Sequence, residues 1–536
     1  MKVLTAAEMR EVDRLTTEKY GVPGLLLMEN AAARSAEAIE KRFGLIKGKR
    51  ALIICGKGNN GGDGAALARL LHTRGALVCA LLLGRVSDAR SDARTNFEIA
   101  RARASDSNGF QFIEIENFDQ LNHHATATTH DILIDAIFGT GLTRAAAGLF
   151  AEAIEFINAQ RNEMSVIAVD VPSGIASDSQ ELIGPAVRAH LTVTFTAPKA
   201  ANVLPPACDL SGELVIGNIG SPDELINSSG AQLNFVTPDE VALWLADSRR
   251  SQQANKGDAG KVFVIAGSRG KTGAACLVGC GAMRAGAGLV TVATAESAQP
   301  VLASRIIVEC MTEPLAETDS GTVAREAADH ALELAAARDV VAIGPGLGSA
   351  EESTRAFVRA LAMQRERPMV IDADGLNALA PWAENLRGSS QLPLILTPHP
   401  GEMARLTGRS IAEVVGNRVE IARQFAVAHS VILILKGSRT LIAAPDGEVY
   451  VNPTGNAGMA TGGTGDVLTG IIAGLVAQKP ELPLAATVSA VYLHGLAGDI
   501  AASQLGTRAM IASDIAAHLG DAFIETGGSI EALIRQ

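Results

Sequence analysis

The strongest constraint on this chain is a rhythm. Short apolar runs, most of them closed by glycine or proline, alternate with helical patterns along nearly its whole length. In the first half the runs are RALIICG (50–56), ALVCALLLG (76–84), DILIDAIFG (131–139), MSVIAVDVPSG (164–174) and LTVTFTAP (191–198), with stretches such as GAALARLLHTRG (64–75) between them. Runs that are apolar throughout suit strands covered on both faces. Strands alternating with helices imply a parallel sheet in a three-layer α/β/α sandwich. A second series follows: KVFVIAGS (261–268), LVTVAT (289–294), VVAIGPGLG (340–348), PMVIDADGLNAL (368–379), LPLILTPHPGE (392–402) and VILILKGSRTLIAAP (431–445). Between the two series, NIGSPDELINSSG (218–230) is polar, turn-rich and without apolar period. At 536 residues the chain is too long for one ordinary domain. The boundary is therefore set near 225–235, giving domains 1–228 and 229–536. The halves share no evident repeat and are read as two different α/β domains, fused.

Composition excludes several classes of function. A net charge of −12 argues against non-specific binding to nucleic acid or to an anionic membrane. No stretch approaches the ~20 apolar residues of a membrane span. The opening MKVLTAAEMREVDRL lacks the apolar core of a signal segment and reads as an amphipathic helix, with Thr5 and Glu8 at capping-box spacing. The six cysteines form no CxxC pair and no Cys/His group with zinc spacing. That pattern suits buried free thiols in a reducing cytoplasm.

In the first half, GKGNNGGDG (56–64) follows a strand and opens a helix. Gly56, Gly58 and Gly61 fit GxGxxG, but the next strand ends without the carboxylate that a dinucleotide fold places on the ribose. Other strands end in Asp135 and then GTGLTR (139–144), and in Asp170 and then VPSG (171–174). Ligands of an open parallel sheet bind beyond the carboxyl ends of its strands, so Asn60, Asp63, Asp135, Asp170 and Ser173 are expected at one site. Their oxygens, without His or Cys, suit a hard cation. Each residue alone is more simply a turn or cap residue; the shared sheet edge is what favours a site.

In the second half, GSRGKTG (267–273) imitates a phosphate-binding loop but has Ile265 where the motif requires glycine. The better phosphate site is NAGMATGGTGD (456–466), which runs into the apolar stretch VLTGIIAGLVAQ. Glycines at a helix start bring unpaired N–H groups and partial positive charge close to an anion. Asp466 in the first turn would repel a phosphate unless it takes a proton from an attacking hydroxyl; an ordinary N-cap is the plainer reading. KGSRT (436–440) offers Lys436 and Thr440 to a nucleotide phosphate. TPHPGE holds His399 between two prolines, DADGLNAL places Asp372, Asp374 and Asn377 beyond a strand, and GPGLG (344–348) is a further glycine-rich strand end.

The motifs NNGGDG, DAIFGTGLTR, VDVPSG and TFTAPK, over roughly residues 1–225, resemble the N-terminal domain of the bifunctional NAD(P)H-hydrate repair enzymes. The resemblance implies a Rossmann-like domain that exchanges the R and S forms of hydrated NADH or NADPH with the help of potassium. By motif, Asn60, Asp135 and Ser173 become the potassium ligands. Asn59, Asn60, Gly61, Gly62 and Asp63 would hold the hydrated dinucleotide together with Gly139, Thr140, Gly141, Leu142, Thr143, Arg144, Ala145 and Asp170. Asp170 becomes the acid–base group, with Lys199 close by.

The second half resembles the ribokinase-like superfamily through GGTGD. Through GSRGKTGAA, RAGAGLVTV, GPGLG, DADGLN, TPHPGEMARL, KGSRT and NPTGNAGMATGGTGD it resembles, more narrowly, the ADP/ATP-dependent NAD(P)H-hydrate dehydratases. This implies phosphorylation of the substrate's ring hydroxyl and then loss of phosphate, a dehydration driven by nucleotide cleavage. Asp466 becomes the base, and Ala274, Gly346, His399 and Asp466 contact the hydrate. Lys436, Gly437, Ser438, Arg439, Thr440 and Gly465 hold ADP, the phosphoryl donor, with Mg2+. The resemblance also implies a homo-oligomer. The competing reading is a small-metabolite kinase with a dinucleotide-sensing N-terminal domain.

Overall fold

The computed structural model describes residues 1–105, 109–248, 253 and 255–534. It divides into two compact units, Met1–Leu233 and Asn234–Gln536, so the boundary lies at residue 233 rather than 228. The turn-rich stretch 218–230 contains a short helix, Asp223–Asn227.

The first unit holds β1 (Arg50–Cys55), β2 (Leu77–Leu83), β3 (Phe110–Ile115), β4 (Ile132–Ala136), β5 (Ser165–Val169), β6 (Leu191–Phe195) and β7 (Glu213–Gly217). All pair in parallel, in the order β3-β2-β1-β4-β5-β6-β7. Its first helices are α1 (Ala6–Tyr20), α2 (Gly24–Phe43) and α3 (Asn59–Thr73). The Thr5–Glu8 capping box starts α1. On one face of the sheet Ala51, Ile53, Val78 and Ala80 pack with Ile39 of α2 and Leu67 of α3. On the other, Leu52, Ile54 and Leu81 pack with Leu121, Ile154 and Ile157. Both faces of β1 are thus covered, as its unbroken apolar run requires, and each buried Leu or Ile contributes about 1.5–3 kcal/mol of transfer free energy.

The second unit has a ten-stranded sheet. Its strands are β8 (Leu233–Phe235), β9 (Lys261–Ile265), β10 (Leu289–Ala295), β11 (Met311–Leu315), β12 (Val340–Ile343), β13 (Met369–Ile371), β14 (Leu394–Leu396), β15 (Ile432–Leu435), β16 (Leu441–Ala443) and β17 (Val449–Val451). They lie in the order β11-β10-β9-β12-β13-β14-β15-β16-β17-β8. Pairing is parallel from β11 to β15 and antiparallel from β15 through β17. VILILKGSRTLIAAP, read as one run, is therefore a hairpin with KGSRT as its turn.

Sequence periodicity misses β3, β7, β8, β11 and β17, of which β3, β7 and β11 are edge positions within the parallel part of a sheet. There one flank is less enclosed, and FQFIEI, ELVIG and MTEPL each carry a glutamate. Two other expectations need correction. Helix Pro483–Leu505 is long and apolar enough to cross a membrane by length and composition, although 67% of its most apolar window is buried against the rest of the unit. The cysteines are not all buried: Cys55, Cys79 and Cys208 are, whereas Cys276, Cys280 and Cys310 are partly exposed.

Candidate active sites

In a doubly wound sheet the crevice for ligands opens where strand order reverses, here between β1 and β4 and between β9 and β12. In the first unit a cleft of about 800 Å³ lies at these carboxyl ends. NNGGD is not a loop: α3 begins at Asn59, after the Gly58 cap. A Cβ on Gly61 would overlap the carbonyl oxygen of Gly56, so this glycine lets the helix start lie against the strand end. Asn60, 7% exposed, lines the cleft with neither amide atom hydrogen-bonded. Leaving a buried amide unpaired costs about 1–3 kcal/mol, which a bound ligand would recover.

Asp170 follows β5 with φ 68°, outside the range most side chains adopt. Its Oδ1 accepts from Lys199 Nζ at 2.7 Å and from Thr194 Oγ1 at 3.1 Å. A Cβ on Gly139 would sit 2.8 Å from Asp170 Oδ2 and 3.5 Å from Asn60 Cβ, so three strand ends meet at one point. Burial pushes the Asp63 carboxyl well above its usual range; the charges of Asp170 and Asp13 add to this and Lys199 opposes it. Asp135 and Ser173 are fully buried and do not line the cleft. Ser173 donates from Oγ to Asp135 Oδ1 at 2.6 Å and from its N–H to Oδ2 at 2.8 Å. Burial raises Asp135 to about 6 against these hydrogen bonds.

In the second unit the helix Thr464–Gln478 starts at Gly463, whose φ of 93° suits glycine alone. Its first turn carries Asp466. Burial raises that carboxyl to about 6; Asp372 and Asp374 push it the same way and Lys436 opposes them. Asp372, directly after β13 and 1% exposed, accepts from Lys436 Nζ at 2.7 Å and from Thr469 Oγ1 at 2.8 Å. Burial works to lower the Lys436 pKa, but Asp372, Glu402 and Asp466 outweigh it and hold the ammonium above its ordinary value. Asp374 accepts from the Gly348 N–H at 2.8 Å and ties DADGLN to GPGLG. A Cβ on Gly346 would lie 3.0 Å from Ala274 Cβ. The elements that meet here are a lysine–aspartate pair, a glycine-started helix end and a carboxyl raised to about 6.

Residues 24–201 match the family model described as YjeF-related protein N-terminus, and residues 262–520 match that described as NAD(P)H-hydrate dehydratase. The bifunctional NAD(P)H-hydrate repair enzyme Nnr of Moorella thermoacetica is 46% identical over 519 residues, 96% of this chain and 95% of its own. That of Thermofilum pendens is 40% identical over 94% of this chain and 93% of its own. A crystal structure of ADP/ATP-dependent NAD(P)H-hydrate dehydratase from Bacillus subtilis, co-crystallised with ATP and Mg2+, is 32% identical, covers 55% of this chain and 98% of that one, and has a TM-score of 0.47. The chain belongs to the bifunctional NAD(P)H-hydrate repair enzymes.

Within this repair enzyme the expected residues divide. Asn59, Asn60, Asp63, Gly139, Thr140, Gly141, Leu142 and Asp170 line the first cleft; Gly61, Gly62, Thr143, Arg144 and Ala145 do not. The five oxygen-bearing residues expected at one site thus fall into a lining group, Asn60, Asp63 and Asp170, and a buried pair, Asp135 and Ser173. His399 caps the helix Pro400–Thr407, its Nδ1 accepting from the N–H groups of Gly401 and Glu402, while its ring stays half-exposed. Gly437, Ser438, Arg439 and Thr440 form the hairpin turn, into which buried Arg418 donates at the Ser438 carbonyl, 2.7 Å away. Sequence reasoning missed Asp13, Glu402, Arg418 and Thr469. Glu402 and Thr469 lie inside recognised motifs or just beyond them; Asp13 and Arg418 sit on amphipathic helices that carry no motif.

Proposed function

We propose that this chain repairs hydrated NADH and NADPH. The first unit exchanges the R and S hydrates, and the second dehydrates the S form with cleavage of a nucleotide, ADP to AMP and phosphate. The carrying observation for the second half is Asp466 in the first turn of a glycine-started helix, next to the Lys436–Asp372 pair. The helix N–H groups and Lys436 hold transferring phosphoryl oxygens, and Asp466, with a pKa near 6, takes the proton of the hydrate hydroxyl as it attacks. Phosphate then leaves with the oxygen, the adjacent ring carbon gives up a proton, and the ring double bond returns. Mg2+ would neutralise phosphate charge when bound, with Asp372, Asp374 and Asp466 the nearby carboxylates. Ala274 and Gly346, adjacent at two strand ends, and His399 bound the hydrate site.

In the first unit Asp170 serves as acid–base group, oriented by Lys199 and Thr194. Asn60, Asp135 and Ser173 would hold potassium, which supplies a counter-charge near the dinucleotide. The unpaired Asn60 amide and the all-oxygen donor set fit such an ion. The deciding assay mixes the full chain with separated R and S hydrates and ADP or ATP. The expected result is recovery of NADH absorbance from the S form with AMP released from ADP, and from the R form through exchange. Phosphorylation of a small alcohol with both hydrates untouched would overturn this reading in favour of a metabolite kinase.

A further inference from the structure

The cleft of the first unit has a wall that the strand-end motifs do not supply. Helix α1 lies outside residues 24–201, the stretch matched by the N-terminal family model. It nevertheless turns Met9, Arg10, Asp13, Arg14 and Thr17 into the cleft that Asp170 and Lys199 also line. Positions 9, 13 and 17 recur every four residues and so share one helix face.

Asp13 is half-buried, and its Oδ1 is buried without a hydrogen bond. Lys199, whose charge acts on Asp13, has no proton left for it: its three N–H groups go to Asp170 Oδ1 at 2.7 Å, Thr194 Oγ1 at 2.9 Å and the Phe195 carbonyl at 3.2 Å. Arg14, one residue along α1, is engaged by Glu11 and Glu18. No donor among the described residues reaches Oδ1, as a structural role for that atom would require. Burial raises its carboxyl to about 6; Lys199 opposes this and Asp170 adds to it. The other charged groups around it are Asp63 from α3, Arg10 from α1, and Lys57 and Asp92 on the cleft walls.

We propose that Asp13 is a second catalytic acid–base group of the first unit, working from the α1 wall while Asp170 works from the strand ends. The proposal rests on the epimerase reading above. Water added across an enamine double bond leaves the hydroxyl on the carbon beside the ring nitrogen. Inverting that carbon requires its C–O bond to break on one face and a new one to form on the other. The nitrogen lone pair drives out the hydroxyl, which leaves as water with a proton from one carboxylic acid. Water then adds to the opposite face and gives a proton to the other carboxylate. The reaction ends with no net change of protons or electrons, and the two carboxyls exchange roles for the reverse direction.

The test is Asp13→Asn in the full chain. R/S exchange is measured as kcat and KM from pH 5 to 8.5, and dehydration of the S hydrate is followed on the same preparation. Because Oδ1 has no partner, the amide is expected to leave thermal unfolding at pH 8 unchanged or raised. Exchange kcat should fall about 100-fold and lose its inflection near pH 6, while dehydration is untouched. Asp13→Glu should restore part of the rate with a displaced inflection. Unchanged exchange kcat in Asp13→Asn, or an effect confined to KM with the inflection retained, would overturn the proposal while leaving the epimerase reading intact. Absence of exchange in the unaltered chain would instead defeat that reading, and the proposal with it.

Discussion

The two units share a plan and differ in what is laid on it. Counted within each unit from β1 and β9, the first seven strands run in the same order, 3-2-1-4-5-6-7. In each, an aspartate directly follows the fifth strand, Asp170 or Asp372, and pairs at 2.7 Å with a lysine beyond a later strand, Lys199 or Lys436. Each aspartate also accepts from a threonine hydroxyl, Thr194 or Thr469. The lysine–aspartate pair is therefore not what separates the chemistries. In the second unit the chain goes on through β16 and β17 and returns as the helix Thr464–Gln478, whose N-terminus closes on the pair and offers N–H groups to phosphate. Among the described residues of the first unit no helix returns from beyond the last strand in this way, and the helix N-terminus at its cleft is that of α3. The pair shares its cleft with Asp13 and Asp63, carboxylates suited to moving protons.

The hardest test of this contrast is Asp466→Asn. Removing the base should lower dehydration by roughly 10²–10⁴-fold and leave R/S exchange at its original rate. Loss of both activities in a folded chain would mean that the sites are not separate. Next in size are the two lysines. Lys199→Met leaves Asp170 and its neighbours without their buried cation, and breaking such a pair costs about 3–5 kcal/mol. Lys436 is less enclosed, with 21% of its side chain exposed against 2% for Lys199, and Asp372 keeps Thr469. Lys436→Met should thus cost its unit less stability, yet stop dehydration. Hydrogen exchange of residues 1–233 and 234–534 separates the two outcomes; equal destabilisation would break the comparison.

Much of this was legible in the sequence because buried parallel strands write themselves as continuous apolar runs. RALIICG and KVFVIAGS could hardly be anything else. The sheet edges were not legible, since β3 and β11 carry glutamates that only an open flank tolerates. Motif spacing marked Asp170, Asp372, Lys436 and Asp466 because each follows a strand or a glycine-rich turn. It could not show that Asp135 and Ser173 form a buried pair, since two residues 38 apart meet only through the sheet register. Asp13 was invisible for a related reason: on α1 it is one polar residue among many, and only the tertiary fold sets it against Lys199.

Acid should distinguish the second unit more gently. Asp466 titrates at about 6 because burial and two neighbouring aspartates outweigh Lys436. A general base must be ionised, so dehydration with saturating nucleotide should hold steady above pH 7. Below about 6 it should fall tenfold per pH unit. A profile flat down to pH 5 would remove Asp466 from the role of base.

The smallest expected effect tests how tightly the helix end sits on the ion pair. A Cβ on Gly465 would lie 3.3 Å from Lys436 Nζ, close enough to press on the ammonium, and 3.6 Å from Asp372 Oδ2, in ordinary contact. Alanine also favours a helix over glycine by about 1 kcal/mol. Gly465→Ala should therefore keep or raise the unit's melting temperature while the KM for nucleotide rises several-fold. Gly520→Ala, in a helix where a Cβ would meet nothing within 4 Å, is the matched control and should gain stability with kinetics unchanged. If Gly465→Ala behaves like Gly520→Ala, the lysine–aspartate pair is as remote from the nucleotide as its counterpart in the first unit. The distinction between the sites would then have to come from the hairpin turn at 436–440 rather than from the helix laid over it.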